Sequence, residues 1–520
     1  MTGDRASRRC GTWWPLVALI AVCAAAYIVN LGALQIGQHV DDAIYVSLGR
    51  SLAAGLGYVR YEDPRHPVEP QYPPGLPSLV ALVLWMGGDL AALRVIPLAF
   101  TLISLVLADI YFRSRLACAD VDPCGPWRWL ALGLFGLNQL VVGYAGMVMS
   151  EAPFICLTLA ALVLLTPNDE GVTRSRQIAR SVGLALALAA AVLFRTVGLA
   201  LVVGAAAWLM RRGRRTEALA VTSLTALLLA PWLIYQRLAT GHWFGAGYAV
   251  DVIGQGHSSW PIILRPIDNL IQYATRLFPE TLLPFFGQRV EALFSRFSLT
   301  PLLLALGATV TVAVIAGAII CARRRSLPDA WIAAAMALLL LAWPYRYTRF
   351  ALTILPIAIF YLLSTATALA PRRRGVLYAL AGLALAGLVL RDVVMVLRPP
   401  RDLYPDLRAA GEFITDHTEP EALIVTHHAS GVALYAERAI IGPAPLKAAA
   451  DEATSPIYTI RNALNNRPVY ALERADSLSL FGPDALDADD LTAEPVAADP
   501  AAGLALHRLR AARLNGSYSP

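Results

Sequence analysis

The chain has 520 residues, 57% of them hydrophobic and only 15% charged, with a mean hydropathy of +0.55. Soluble domains carry about 25% charged residues, so this composition excludes a water-facing surface over most of the chain. The formal net charge is +6, and every basic residue except Lys447 is arginine. The arginines stand in short clusters between apolar runs with no aromatic interleaving, a pattern of membrane orientation rather than of nucleic-acid binding.

A membrane-crossing helix needs about 20 mostly apolar residues. The first candidate is Trp13 to Leu34, preceded by Arg5, Arg8 and Arg9. A cleaved signal segment also begins basic and apolar, but this run is long and many more follow, which favours an uncleaved first helix. Leu76 to Met86 is apolar but too short to cross, and reads as a juxtamembrane or re-entrant helix. Further spans are expected near 90–112, 129–148, 152–167, 180–194, 196–210, 217–237, 299–321, 328–344, 350–369 and 375–396, eleven in all.

The arginine clusters are Arg5/Arg8/Arg9, Arg113/Arg115, Arg174/Arg176/Arg180, Arg211/Arg212/Arg214/Arg215, Arg323–Arg325 and Arg372–Arg374. With eleven spans and a cytoplasmic N-terminus, all six fall on the cytoplasmic face, as the positive-inside trend requires. The outer face then receives the loop 35–90, the turns near 150, 195 and 346, the loop 238–298 and the tail.

That tail, 399–520, is richer in acids. Leu407 to Thr415 reads as a helix, and Ala422 to Thr426 and Pro468 to Leu472 read as short strands. The expectation is a polytopic α-helical membrane protein: a transmembrane region over 1–398 and a small extracytoplasmic α/β domain over 399–520. The last residues, Asn515 to Pro520, look disordered. The cysteines at 10, 23, 118, 124, 156 and 321 form no metal or redox spacing and are read as free thiols.

The first outer loop is the most informative segment. Asp41 and Asp42 stand side by side just past a membrane helix, followed by Tyr45, the turn Gly55 to Tyr58, and Tyr72 to Pro77. Adjacent carboxylates there imply a cation, a proton-transfer duty or good solvation; one of the two also suits a helix cap. Further polar points on the outer face are Glu151 in the Ser150–Pro153 turn, Arg195 between two short spans, and Arg346 and Arg349 after Tyr345. Glu151 alternatively sits in the first turn of a helix capped by Ser150, and Arg195 alternatively snorkels to headgroups. Outward arginines run against the positive-inside trend, and guanidinium matches phosphate bidentately. His427 and His428 lack the further ligands of a metal site and read as surface histidines. His66 reads as a plain loop residue. His242 and His257, with Trp243, Phe244, Tyr248 and Trp260, are candidates for sugar stacking or interface anchoring.

Taken in order, these residues resemble the GT-C superfamily of membrane glycosyltransferases, especially the bacterial protein O-mannosyltransferase and lipid A aminoarabinose transferase branch. The likeness rests on Asp41-Asp42, Tyr45, Gly55–Tyr58, Tyr72–Pro77, Ser150–Pro153 and the stretch from Arg349 to Pro356. There are departures. The acidic pair of that family is often Asp-Glu, the aminoarabinose branch carries a phosphate-contacting lysine where Tyr72 stands here, and its second acidic motif is often a pair where only Glu151 stands here.

The resemblance implies an inverting transferase in a bacterial inner membrane, with a polyprenyl-phosphate sugar as donor and a glycan, lipid or protein as acceptor. Asp41 would be the base, with Asp42 orienting a neighbour or capping a helix. Arg349, Arg346 and Arg195 would receive the donor phosphate, and Glu151, Tyr45, Tyr72 and Tyr345 would contact substrate. A divalent cation is admitted without a defined site. The competing readings are a transporter or flippase of lipid-linked sugars and a non-catalytic subunit on the same fold. Against the first, charged residues sit mostly at span ends and no internal duplication is visible.

Overall fold

The computed structural model describes residues 13–31, 34–165, 173–243, 261–283, 286, 288–324, 327–369, 374–397, 407–442, 460, 463–464, 466–474 and 491–511. The expectations for Arg5, Arg8, Arg9, Cys10, His257, Phe244, Tyr248, Trp260, Arg325, Arg372, Arg373 and the last residues lie outside that set.

Apolar stretches of this length fold as helices because a bilayer offers no water to satisfy free backbone groups. In chain order the helices are α1 (Trp14–Val29), α2 (Val40–Ala53), α3 (Gly75–Trp85), α4 (Val95–Cys118), α5 (Pro126–Gly136), α6 (Gln139–Tyr144), α7 (Glu151–Leu164), α8 (Arg174–Phe194), α9 (Leu199–Arg211), α10 (Arg215–Thr240), α11 (Arg265–Gln272), α12 (Phe278–Leu282), α13 (Gln288–Arg296), α14 (Thr300–Arg324), α15 (Pro328–Ala342), α16 (Leu355–Leu369), α17 (Arg374–Leu397), α18 (Leu407–His417) and α19 (Ala429–Val432). A helical turn, Thr348–Ala351, leads into α16.

Six helical segments among the described residues are long and apolar enough to cross a membrane: Ala92–Cys118, Arg174–Phe194, Arg215–Thr240, Thr300–Arg324, Thr348–Leu369 and Tyr378–Met395. Shorter apolar helices cover Trp14–Val29, Glu151–Leu164, Thr196–Arg211 and Pro328–Ala342. The stretch expected as one span over 129–148 is instead two helices. Asn138 breaks it: its side-chain oxygen accepts from the Leu140 amide at 3.0 Å and caps α6, while its amide group donates to the Thr281 carbonyl at 2.8 Å.

The chain forms two compact units: Met1–Ala33, Pro70–Leu76 and Arg94–Pro399 in the first, Leu34–Glu69, Pro77–Leu93 and Pro400–Pro520 in the second. In the first, one continuous apolar core includes Tyr111, Phe112, Phe135, Phe154, Trp208 and Phe360. Lipid is as apolar as these side chains, so tight packing holds such a core together. Gly204 shows how close the helices come, since a Cβ there would lie 2.7 Å from Ile332 Cα and push α9 off α15. Arg115, grouped above with the orientation arginines, is instead buried at 1% exposure and paired with Asp329. Cys124 is disulfide-bonded, against the expectation of a free thiol.

The second unit contains a five-stranded sheet of order β2-β1-β3-β5-β4, with β1 at Leu423–Val425, β2 at Ala439–Ile441, β3 at Val469–Arg474, β4 at Leu491–Asp499 and β5 at Leu504–Ala511. β1 is parallel to β2 and β3, while β5 is antiparallel to β3 and β4. Side chains alternate across a strand: Tyr470 and Leu472 join α18 residues Ala410 and Ile414 in one cluster, and Val469 and Ala471 join Leu423 and Leu509 in another. The expected helix at 407–415 and both expected strands are therefore present.

Part of the first loop is built into this same unit. Arg50 of α2 donates to the Ala433 and Leu434 carbonyls at 3.1 and 3.0 Å. The Ile440 amide donates to the Glu62 carbonyl at 3.0 Å, and Tyr435 donates to the Ile36 carbonyl at 2.9 Å. His428 is buried and its Nε2 lies 2.8 Å from the Gly37 carbonyl, which corrects its reading as a surface histidine; His427 is exposed.

Candidate active site

In the first unit a polar cluster forms where several helices begin or end. Glu151 opens α7 and is 1% exposed. Arg195 follows α8 in extended conformation, and the short turn Thr196–Gly198 leads at once into α9. This geometry sends the Arg195 side chain inward: its Nη1 donates to Glu151 Oε1 at 2.6 Å and to Ser150 Oγ at 3.0 Å. Arg195 is thus an ion-pair partner rather than a headgroup snorkel. Ser150 makes no capping bond and instead accepts from this guanidinium.

Arg349, in the turn before α16, brings its Nη1 to 3.7 Å from the same Glu151 oxygen. Phe350 lies close to both cations, its ring centre 5.8 Å from the Arg195 guanidinium and 5.5 Å from that of Arg349. Tyr347 adds a second ring 5.0 Å from Arg349. Two guanidinium groups therefore share one buried carboxylate. Glu151 Oε2 is buried without a hydrogen-bond partner. Such a site attracts an anion, and its cations are already oriented before one arrives.

Arg346 pairs separately with Asp268 of α11, Nη1 to Oδ2 at 2.6 Å. Next to Asp268, the Asn269 amide donates to the carbonyls of Leu340, Leu341 and Trp343, tying α11 to the end of α15. The segment carrying Tyr72 is held at both ends. Gln236 of α10 donates to the Pro70 carbonyl at 2.7 Å, and a Cβ at Gly75 would meet the Leu193 carbonyl at 2.7 Å, so only glycine lets this segment lie on the end of α8. Tyr72 and Tyr345 are half-buried.

In the second unit, Asp41 and Asp42 open α2. Their environments differ. Asp42 is 4% exposed and accepts three backbone N–H bonds: from His39 at 3.0 Å and Ala43 at 2.9 Å on Oδ1, and from Gly37 at 2.8 Å on Oδ2. Burial pushes its carboxyl up to about 7, although those three amides pull the other way. Asp42 is the helix-capping member of the pair. Asp41 is half-buried in the first turn of the helix, where the peptide dipoles favour a negative charge. Tyr45 is buried. His66, at a positive φ of 48°, closes the loop turn through the Arg60 carbonyl.

Among the described residues no donor set for a divalent cation gathers. Both Asp42 oxygens are committed to backbone amides, and among the described residues no three His, Cys, Asp or Glu side chains gather as metal ligands. Sequence reasoning singled out Glu151, Arg195 and Arg349, and the structure joins them. It missed Ser150 as a ligand of Arg195, Phe350 as the ring beside both cations, and Asp268. Asp268 was legible as an acid in the loop opposite the arginine clusters.

This helical architecture is similar in fold to solved membrane glycosyltransferases of the GT-C type. Among solved structures the chain is similar to ArnT from Cupriavidus metallidurans, a lipid A aminoarabinose transferase, in its apo state: TM-score 0.62 and 14% identity, covering 97% of this chain and 99% of that one. It is similar to ArnT from the same organism bound to undecaprenyl phosphate, with TM-score 0.60 and 16% identity over 98% and 100% of the two chains. The archaeal oligosaccharyltransferase AglB from Archaeoglobus fulgidus, in complex with an inhibitory peptide and a dolichol-phosphate, matches with TM-score 0.50 and 14% identity over 89% and 70%. No protein-family model matches the chain, and no curated protein matches it in sequence. At these identities the likeness is one of fold.

Proposed function

We propose that this chain is an inverting glycosyltransferase that moves a hexose or pentose from a polyprenyl-phosphate donor to a glycan, lipid or protein acceptor of the cell envelope. The observation that carries this reading is the pair of guanidinium groups, Arg195 and Arg349, sharing the single buried carboxylate of Glu151. A phosphate leaving group is the anion such a cluster suits. The polyprenyl phosphates bound to ArnT and AglB support the same class of donor.

In the proposed reaction the acceptor oxygen attacks the anomeric carbon as the bond from that carbon to the phosphate oxygen breaks. The electron pair leaves with the phosphate, and configuration inverts. Asp41 accepts the acceptor's hydroxyl proton, while Asp42 holds the start of α2. Arg349, Arg346 and Arg195 receive the charge that develops on the phosphate. Glu151 sets the two nearest arginines, and Tyr45, Tyr72 and Tyr345 contact substrate. The proposed setting is a bacterial inner membrane crossed eleven times. The N-terminus is cytoplasmic, residues 1–398 form the membrane domain, and residues 399–520 form an extracytoplasmic α/β domain.

The test supplies labelled polyprenyl-phosphate sugar to membranes containing the protein. Asp41→Asn is expected to lower transfer about 10²–10⁴-fold, the usual loss on removing a general base. Full transfer by that variant removes Asp41 from the role. Donor movement across the membrane with no transfer by the unaltered chain would favour a flippase instead.

A further inference from the structure

Two free thiols of the first unit meet at a place that the transfer reaction does not use. Cys118 ends α4, and Cys321 lies near the end of α14. Both line one small cavity, together with Ala119, Arg324, Leu327 and Ser364. Arg324 Nη1 reaches the Ala119 carbonyl at 3.5 Å, so the two helix ends touch right beside the cysteines. The thiols lie close enough to feel each other's charge.

Packing on both sides fixes the walls. A Cβ at Gly317 would run into the Tyr361 carbonyl, so α14 lies directly on α16, and Thr365 Oγ1 donates to the Ala313 carbonyl at 2.6 Å. Cys321 stands one turn beyond Gly317 on the same face. Arg115, one turn before Cys118, is bound to Asp329 at 2.8 Å and to the Leu162 carbonyl at 3.0 Å. Both cysteines are thus carried on elements of fixed spacing. Cys321 is buried and Cys118 half-buried, while Arg324 is exposed, which leaves an approach from the arginine-rich end.

The cavity measures about 10 Å³, close to the 10–15 Å³ or so that a single water-sized guest needs. It is too small for an organic ligand and suits one ion. Its strongest donors are two sulfurs, and among the described residues the charged group on its walls is Arg324. Calcium and magnesium want a shell of oxygens, and structural zinc wants a tetrahedral set. Thiolate sulfur selects soft ions such as Cu(I), and a monovalent ion of that kind is satisfied by a pair of sulfurs in line.

We propose that Cys118 and Cys321 bind one soft monovalent ion of the Cu(I) type between their sulfurs. Each thiol gives its proton to water as the ion enters, and each sulfur supplies one electron pair; nothing is oxidised or reduced. The bis-thiolate complex carries one negative charge, which the Arg324 guanidinium beside it balances. The bound ion ties the end of α4 to the end of α14. The site shares no residue with the Glu151 cluster and does not depend on the transferase reading.

The probe is Ag(I), which shares the preference for sulfur and keeps its oxidation state. Full-length protein in detergent, with thiols reduced, the reductant removed and chloride absent, is loaded with Ag(I) and desalted, and the retained metal is counted by mass spectrometry. The unaltered chain is expected to hold one ion more than Cys118→Ser/Cys321→Ser, a difference in which every other thiol cancels. Each single serine variant should lose that ion, with apparent affinity down more than about 100-fold, because loss of even an outer partner costs about 10–100-fold. Arg324→Gln, an outer partner, should fall within that range of about 10–100-fold. Bound Ag(I) should also shield Cys118 from N-ethylmaleimide, read by peptide mass, a check that needs no substitution and stands even where Cys321→Ser fails to fold. Equal retention by the double variant, or alkylation of Cys118 at the same rate in the loaded chain, overturns the proposal. An ion that persists in either single variant would be a one-sulfur adduct and overturns the pairing. Retention of Zn(II) at equal strength would demand ligands beyond the two sulfurs and overturns the assignment to a two-coordinate ion.

Discussion

Two buried carboxylates of the first unit, Asp329 and Glu151, both meet arginine, and they meet it in opposite ways. Asp329 has one arginine. Arg115 Nε reaches its two oxygens at 3.1 and 2.8 Å, the Tyr111 hydroxyl adds a third bond, and Arg115 sends Nη2 on to the Leu162 carbonyl at 3.0 Å. Charge is balanced one to one. Glu151 has two arginines converging on one oxygen, while its other oxygen is buried without a partner. Number of arginines alone does not separate the two cases. Asp109 also draws two, Arg113 and Arg128, but uses a different oxygen for each. What distinguishes Glu151 is that both arginines converge on one oxygen while the hydrogen-bonding capacity of the other is unspent. Burying an ion pair costs several kcal/mol per ion, recovered only by near-complete bonding. An incomplete cluster in the interior therefore fits function better than stability.

The comparison predicts opposite phenotypes. The largest effect on stability belongs to Asp329. Asp329→Ala leaves Arg115 charged and buried, so about 3–5 kcal/mol should be lost, read as a marked drop in melting temperature in detergent. A small drop would mean that the closed cluster is not what holds α4 to α15. Arg349→Ala should behave in the reverse manner. Arg195 remains to pair Glu151, so melting should barely move, while sugar transfer falls about 10²–10³-fold, the usual loss on removing one preorganised charge donor. If melting fell as far as for Asp329→Ala with transfer per folded molecule unchanged, the Glu151 cluster would be structural and the contrast would fail.

Much of this was legible in the sequence, for a physical reason. Charged residues are rare in membrane segments and costly there, so Glu151, Arg195 and Arg349 stand out against their apolar surroundings, and the helices around them follow from hydropathy. Their partners were harder to see. Arg115 has the same spacing from an apolar run as any orientation arginine, and only the fold reveals Asp329, 214 positions away. Arg346 and Asp268 are 78 positions apart. The break at Asn138 was hidden because hydropathy averages over it, whereas one capping bond and one long-range bond decide it. The binding of Arg50, Gly37 and Glu62 to the C-terminal residues was equally invisible, since it uses backbone carbonyls and amides that carry no sequence signature.

The same contrast between closed and open carboxylates extends to the second unit and yields the smallest predicted effect. Asp42 is closed: three backbone amides fill its oxygens. Asp42→Asn keeps one oxygen for His39 and Ala43 but turns an amide donor toward the Gly37 N–H, which leaves that buried donor unmet. Such a loss costs about 1–3 kcal/mol. The penalty should also depend on pH, with a definite sign. Burial raises the Asp42 carboxyl to about 7 in the folded chain, while the unfolded value is about 3.9. The folded state therefore holds the extra proton between those values, and this contribution to stability falls as pH rises from about 4 to about 7. Asparagine has no proton to lose, so the melting gap between the unaltered chain and Asp42→Asn should be widest near pH 4 and narrow by pH 7. A gap that widens with rising pH would mean that the three amides outweigh burial and that Asp42 stays ionised. The capping role would survive that result, but the carboxyl would then be held by its hydrogen bonds rather than lifted by its surroundings.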